Sequence, residues 1–319
     1  FTDRCGVCKD KASLLISMLR AAGFESYAAM TMAGERIDDV PADQFNHSVT
    51  VVKRRNGEYQ LLDPTWVPGV RELWSSAEQQ QGYLMGLPEG ADLQYTPISA
   101  PENHYVRIYG KSKLDKTGLL KGSFTITAEG QSDATVRRIF SGVRTEWDKN
   151  LEKEILRFHP NARITKVTHT DNDKYLEQPV SITYEYEIPY YAFIGENEIM
   201  FTPPLASGVF KRAMGHVYTN TSAETKKFGF RDRCSRLVEI NEEMELPKYS
   251  EALPLPSAES VESKYVSFDG AYQLEGKKLV FSETISLGKR VYEAEEWPAY
   301  RQAVINQNHF AEQKIILKK

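Results

Sequence analysis

Arg4-Cys5-Gly6-Val7-Cys8-Lys9-Asp10-Lys11-Ala12 is the stretch whose reading decides the fold. Gly6 interrupts the chain just before Cys8. From Lys9 onward, Ala12, Leu15, Ile16, Leu19 and Ala22 recur at helical spacing, and Leu14 and Met18 widen the apolar stripe. Arg20 falls in the last turn and Gly23 suits the position just past the helix. Cys8 thus heads a helix of about four turns. Free backbone N–H groups and the helix dipole at that end favour a thiolate. The competing reading is a structural cysteine, because free cysteines are often buried and inert.

Two later stretches weigh against the inert cysteine. Phe45-Asn46-His47-Ser48-Val49 and Leu61-Leu62-Asp63-Pro64-Thr65-Trp66 lie on a predicted hairpin, residues 45–53 and 58–63, around Asn56-Gly57. Phe45, His47, Val49 and Val51 share one strand face, and Tyr59, Leu61 and Asp63 share a face of the next. Both faces are mainly apolar, so both should point to a core on which the helix packs. That requires odd-numbered residues to pair with odd-numbered ones. A two-residue Asn-Gly turn would set His47 and Asp63 on opposite faces. A three-residue loop, Arg55-Asn56-Gly57 with Gly57 left-handed, keeps them together, and so does a five-residue loop. A thiol needs a base and the base needs an acceptor; Cys8, His47 and Asp63 can supply nucleophile, base and orienting carboxylate. The sulfur should then lie within about 4 Å of one His47 nitrogen, and the other should meet Asp63 at roughly 2.6–3.2 Å.

Gly6-Val7-Cys8, His47 and Asp63-Pro64-Thr65 resemble, in order and spacing, the motifs of the transglutaminase-like superfamily, whose fold is related to papain-type cysteine proteases. Lys9-Asp10-Lys11-Ala12 with Leu19-Arg20-Ala21-Ala22-Gly23, and the closing Trp297-Pro298-Ala299-Tyr300 through Ile315-Ile316-Leu317-Lys318, resemble a bacterial branch of it. Many members carry an aromatic soon after the histidine, where this chain has Ser48 and Val49. The resemblance implies an extracytoplasmic, periplasmic or cell-surface location. It also implies a second oxyanion donor from a side chain upstream of the nucleophile. Phe1 to Val7 offer none, so the expectation is a fragment with a reactive Cys8 but weak turnover, whose apolar surface an upstream segment covers.

The 319 residues suggest about two domains, and 41% hydrophobic with 26% charged residues fits a globular chain. A net charge of −4 gives no electrostatic reason to expect nucleic acid. No apolar run approaches the ~18–20 residues of a membrane span. The chain opens at Phe1, without a methionine or signal peptide, and so is expected to be a fragment or processed form. Three cysteines give no disulfide framework. Cys5-x-x-Cys8 raises a thioredoxin-like redox pair, disfavoured by the absence of a preceding βαβ pattern. A zinc site from Cys5, Cys8, His47 and Cys234 lacks paired spacing. Cys234 reads as a lone strand cysteine, and no metal or cofactor is expected.

Residues 67–104, rich in Gly, Pro, Gln and Ser, read as an excursion with a short helix at Ser76–Leu84. Trp66, Trp74 and Tyr83 could form a substrate wall, or more simply pin the excursion to the core. His104 reads as structural. From Tyr105 the pattern turns β-rich: Tyr105–Tyr109, Gly118–Ala128, Ile164–His169, Val180–Ile188, Arg236–Glu245 and a hairpin Tyr265–Tyr272 with Lys278–Ser286. Asp133–Phe158 carries one long helical stripe, Val136, Ile139, Phe140, Val143, Trp147, Leu151, Ile155 and Leu156. Pro247–Ser257 is a connector, Trp297–Asn308 a terminal helix and Gln313–Leu317 a closing strand. His159, His169 and His216 have no partner at catalytic spacing.

The sequence therefore predicts an α+β chain. A papain/transglutaminase-like domain, a nucleophile helix on antiparallel strands, spans 1–104. A β-sandwich-like domain with a helix near 133–158 spans 105–319. The expected activity is that of a protease or amidase, or of an amine-transferring transglutaminase, on a peptide, protein or other amide-containing substrate. The alternative is a non-catalytic module that binds peptide or glycan on the same fold.

Overall fold

The computed structural model describes residues 5–35, 37–38, 43–65, 74, 78–140, 142–206, 214–215, 219–249 and 251–319; the side chains of 157 and 158 fall outside the description. The fold is mixed α+β, rich in strands and with few helices. No described helix is long and apolar enough to cross a membrane.

Helix α1 runs Cys8–Ala21, with Val7 extended at its N-cap. Its C-terminal end closes as the sequence implies. Gly23 takes φ +86, and the N–H groups of Gly23 and Phe24 donate to the carbonyls of Arg20 and Leu19 at 3.0 and 2.9 Å. Strands β1 (Ser26–Thr31), β2 (His47–Lys53), β3 (Tyr59–Leu62), β4 (Gly82–Met85) and β5 (Gln94–Tyr95) form one sheet in the order β3-β2-β1-β4-β5. Lys53 pairs with Tyr59 and Val51 with Leu61, the odd-with-odd register. Arg54 N–H donates to Glu58 O at 2.8 Å, which leaves a three-residue loop, Arg55-Asn56-Gly57, with Gly57 at φ +86.

The helix lies on the face opposite to the expected one. Thr50 Oγ1 donates to Ala12 O and Ser26 Oγ to Ile16 O, both at 3.3 Å, so α1 rests on the even-numbered face of β2. Ser26 and Thr50 are short and can bond helix carbonyls, which lets the backbone approach. The bulkier Val49, Val51 and Leu61 pack on the other side with Ala29, Trp74 and Tyr83. The buried stripe of α1 is correspondingly narrow: Ala12 and Ile16 are buried, whereas Leu14 and Met18 are 41% and 58% exposed.

An eight-stranded sheet follows. Strands β6 (Tyr105–Leu114), β7 (Leu120–Ala128), β8 (Arg163–His169) and β9 (Val180–Ile188) make one half in the order β6-β7-β9-β8. Arg236–Glu245 pairs with β6 in parallel, then come Lys278–Leu287, Val266–Glu275 and Val261–Glu262, each antiparallel to its neighbour. A four-stranded sheet orders Phe193–Ile194, Glu198–Phe201, Ile315–Lys318 and Glu251–Ala252. Ile199, Phe201, Ile315 and Leu317 of the smaller sheet share one apolar core with Val106, Phe124, Tyr184 and Phe281 of the larger.

Two helix expectations are corrected. The single helix at 133–158 is two: α2 (Gly130–Arg137) and α3 (Trp147–Phe158), with a short 3-10 turn at Arg144–Glu146 between them. Gly142, at φ +83, breaks the path, and Val143, counted in the stripe, is 66% exposed. The stripe is continuous in sequence because Phe140 and Trp147 still meet, ring centroids 5.5 Å apart, across the break. Of the short helix expected at Ser76–Leu84, the described part keeps only a 3-10 position at Glu78, and β4 instead fills the edge of β1 through Met30–Leu84 and Thr31–Tyr83 pairs. Helix α4 (Trp297–Glu312) and the strand Ile315–Lys318 close the chain as expected.

Candidate active site

Gly6 and Asp10 build the start of α1. The Asp10 carboxylate accepts the Val7 N–H at 2.9 Å, and a Cβ on Gly6 would lie 2.9 Å from Asp10 Cβ. Only a residue without a side chain lets this cap close. Cys8, partly exposed, is then the first residue of the helix. Partial burial raises its thiol. The Ser48 N–H, the His47 side chain and its charge, and the Lys9 N–H outweigh this, and the net shift is downward.

His47 opens β2, opposite Thr31 of β1, and is 5% exposed. Its Nε2 is 3.0 Å from Asp63 Oδ2. Asp63 sits just past β3, and its Oδ1 accepts the Thr65 N–H at 2.8 Å. The Asp-Pro-Thr sequence thus folds as a turn closed by its own side chain, with Pro64 fixing the backbone and the second oxygen left to face His47. Burial lowers His47. The Asp63 hydrogen bond, the Glu78 and Asp63 charges and the Cys8 thiol reverse this and raise it to about 9. Cys8, His47 and Asp63, which the sequence singled out, therefore lie together.

Glu78 was missed. It is 2% exposed, and its Oε1 is 3.6 Å from His47 Nε2. Burial and the Asp63 charge push it up to about 7, against the pull of His47 and Arg290. Neither of its oxygens has a hydrogen-bond partner among the described residues. The sequence carries only a weak signal, the polar run Glu78-Gln79-Gln80-Gln81, and nothing that ties it to His47.

The zinc quartet that the sequence disfavours, Cys5, Cys8, His47 and Cys234, is not among the potential metal-ligand groups of the described residues. Among the described residues, the one group of three or more potential ligands is His47, Asp63 and Glu78, with atoms within 4.8 Å of one another. One small cation could fit there, but the 3.0 Å His47–Asp63 hydrogen bond already places a proton in it. Cys5 is exposed, Cys234 is buried, and neither is in a disulfide. Trp74 and Tyr83 line the core beside Val49 and Leu61, so they pin the excursion; Trp66 lies outside the described residues. His104 is fully buried, its Nε2 bonded to Ser99 Oγ at 2.8 Å and its Nδ1 accepting the Gln131 N–H at 3.2 Å, a structural role at the start of α2. His169 bridges Thr170 O and Asp148; His216 lies outside the described residues.

Residues 197–317 match the family described as a domain of unknown function with solved structure, DUF3858. No curated protein matches. A crystal structure of a "putative protease" from Parabacteroides distasonis is similar over 97% of this chain and 43% of its own, at 10% identity and a TM-score of 0.49. This chain thus spans less than half the length of that protein. The DUF3858 stretch is not remote from His47. It contributes Ser235, Arg290 and Val291, which bond Gln79 and Gln80, the residues that follow Glu78.

Proposed function

We propose that residues 1–104 form a transglutaminase-like unit of papain type and that Cys8, His47 and Asp63 catalyse acyl transfer from an amide-containing substrate. Residues 105–319 would form a second, β-rich unit. The separate apolar cluster around Val49 and Trp74 supports that division. One observation carries the catalytic reading. A thiol at a helix start and a buried carboxylate meet the same imidazole, and Nε2 is taken by Asp63 at 3.0 Å, which leaves Nδ1 for Cys8. In the reaction the Cys8 thiolate attacks the carbonyl carbon, a C–S bond forms, and the carbonyl π electrons move onto oxygen. The Cys8 N–H, which meets no acceptor among the described residues, is one donor to that oxyanion. The imidazolium of His47 passes its proton to the departing amine as the C–N bond breaks. His47 then takes a proton from water or an acceptor amine, which attacks the thioester and frees the thiol.

A peptide thioester tests this without knowledge of the natural substrate. Cys8 should gain the acyl mass, and water or an added amine should release it. Acylation of Cys5 instead, or equal acylation after His47→Ala, would overturn the reading.

A further inference from the structure

We propose that Glu78 is a positioning residue for His47, held behind the imidazole by a strap of glutamines fixed to the C-terminal half of the chain. The inference rests on the reading of His47 as partner of Cys8. Glu78 Oε1 approaches Nε2, the nitrogen that Asp63 also holds, at 3.6 and 3.0 Å respectively. Two carboxyl groups thus converge on one N–H. Asp63 is oriented by its own turn, but the Glu78 carboxyl makes no hydrogen bond among the described residues. Its place is set by the backbone that carries it.

That backbone is tightly fixed. Gln79 Nε2 donates to Ser235 Oγ at 3.1 Å, and its Oε1 accepts the Ser99 N–H at 3.2 Å. Gln80 Oε1 accepts the N–H groups of Arg290 and Val291 at 3.0 and 2.9 Å, and its Nε2 donates to Val291 O at 3.1 Å. Gln81 Nε2 reaches Glu35 O at 2.6 Å. Gln80 has φ +58, a conformation few non-glycine residues adopt without compensation. Three side-chain hydrogen bonds at that one residue supply the compensation, and they come from the far half of the chain.

The groups facing Glu78 are Asp63, His47 and Arg290. Two neighbouring carboxyls resist ionising together. As pH rises through the neutral range, Glu78 loses its proton and a second negative charge appears behind His47. The imidazolium is then held against deprotonation, and the Cys8 thiolate keeps its partner into alkaline solution. The C-terminal half thereby sets the charge state of the pair through the strap.

The test uses the full chain in a chelator-containing buffer, with the His47 ring titrated by NMR and Cys8 alkylation followed against pH. Glu78→Gln should lower the His47 midpoint by about one unit, the scale set by loss of a nearby opposite charge. The alkaline limb of Cys8 reactivity should move with it, and Glu78→Asp should fall between. Gln80→Gly allows φ +58 while removing the three hydrogen bonds, and should shift the midpoint the same way; it decides the matter if Glu78→Gln does not fold. An unchanged His47 midpoint in the folded variants overturns the inference. Wild-type Cys8 that reacts no faster than Cys5 overturns the proposed function instead, and the His47 titration remains readable in that case.

Discussion

His47 Nε2 stands 3.0 Å from Asp63 Oδ2, while the other oxygen of Asp63 accepts the Thr65 N–H at 2.8 Å. The same side chain closes a turn and orients an imidazole. Asp63→Asn can keep the turn, because the amide oxygen also accepts, but it removes the charge that stabilises imidazolium. Thioester or amide turnover should fall by on the order of 10²–10⁴, the range seen when an orienting aspartate becomes an amide and acid–base support is lost. Steady-state kinetics checks this, and a loss below about threefold would mean that Asp63 only shapes the turn.

Cys8 should alkylate faster than Cys5 near pH 6, by roughly tenfold or more, because Ser48, Lys9 and His47 all act to lower its thiol. Cys5 is exposed and so is the fair comparison, whereas Cys234 is buried and should be slower still. The advantage should vanish in His47→Ala. Peptide mapping after a short iodoacetamide pulse reads all three sites at once. Equal labelling of Cys5 and Cys8 in the wild type would dispose of the thiolate–imidazolium pair.

The hairpin was legible because its constraints are local. Period-two alternation fixed which residues share a face, and Gly57 supplied the left-handed step that a three-residue loop needs. The side on which α1 packs was not legible. Apolar content pointed to the Val49–Val51 face, but short side chains that bond helix carbonyls, Thr50 and Ser26, decided it. The break between α2 and α3 hid behind an apolar stripe that survives it through space. Glu78 could not be seen for a deeper reason. Its position depends on Ser235, Arg290 and Val291, more than a hundred residues away, and no local pattern records such contacts.

Stability should fall as pH rises from about 5 to 9. Burial raises Glu242 to about 7 and Glu283 to about 8, so both bind a proton more tightly folded than unfolded. For a raised carboxyl, stability is lost between the unfolded value near 4.5 and the folded one. At one pKa unit per 1.36 kcal/mol, each loss approaches ~3–5 kcal/mol. His47, raised to about 9, acts in the same direction: its contribution is full below about 6.5 and is lost as pH rises through 9. Glu283 Oε2 and Gln307 Oε1 are both buried with no hydrogen-bond partner among the described residues, and the neutral acid brings the hydrogen that two bare acceptors lack. Glu283→Gln should therefore lessen the fall of the melting temperature between pH 5 and 8, leaving the share of Glu242 and His47 in place. An unchanged slope would mean that Glu283 is hydrated or paired in solution.

Gly270 is where helix α4 meets the eight-stranded sheet. A Cβ there would lie 2.5 Å from Phe310 Cε1 and 2.9 Å from Cδ1. Phe310 is 1% exposed, and its ring is bounded by Tyr272 at 4.9 Å, Phe281 at 5.8 Å and Phe268 at 6.2 Å between centroids. The ring cannot turn aside without moving an aromatic neighbour. Gly270→Ala should thus destabilise by ~1–3 kcal/mol through overpacking, despite the usual gain from replacing a strand glycine. Phe310→Leu opens a small cavity and should cost a similar amount alone. Combined, the two should cost clearly less than their sum, because the added methyl enters space the ring has vacated. Denaturant unfolding of the four proteins measures that coupling. Additive losses would show that Gly270 is needed for its backbone and not for the room it leaves Phe310.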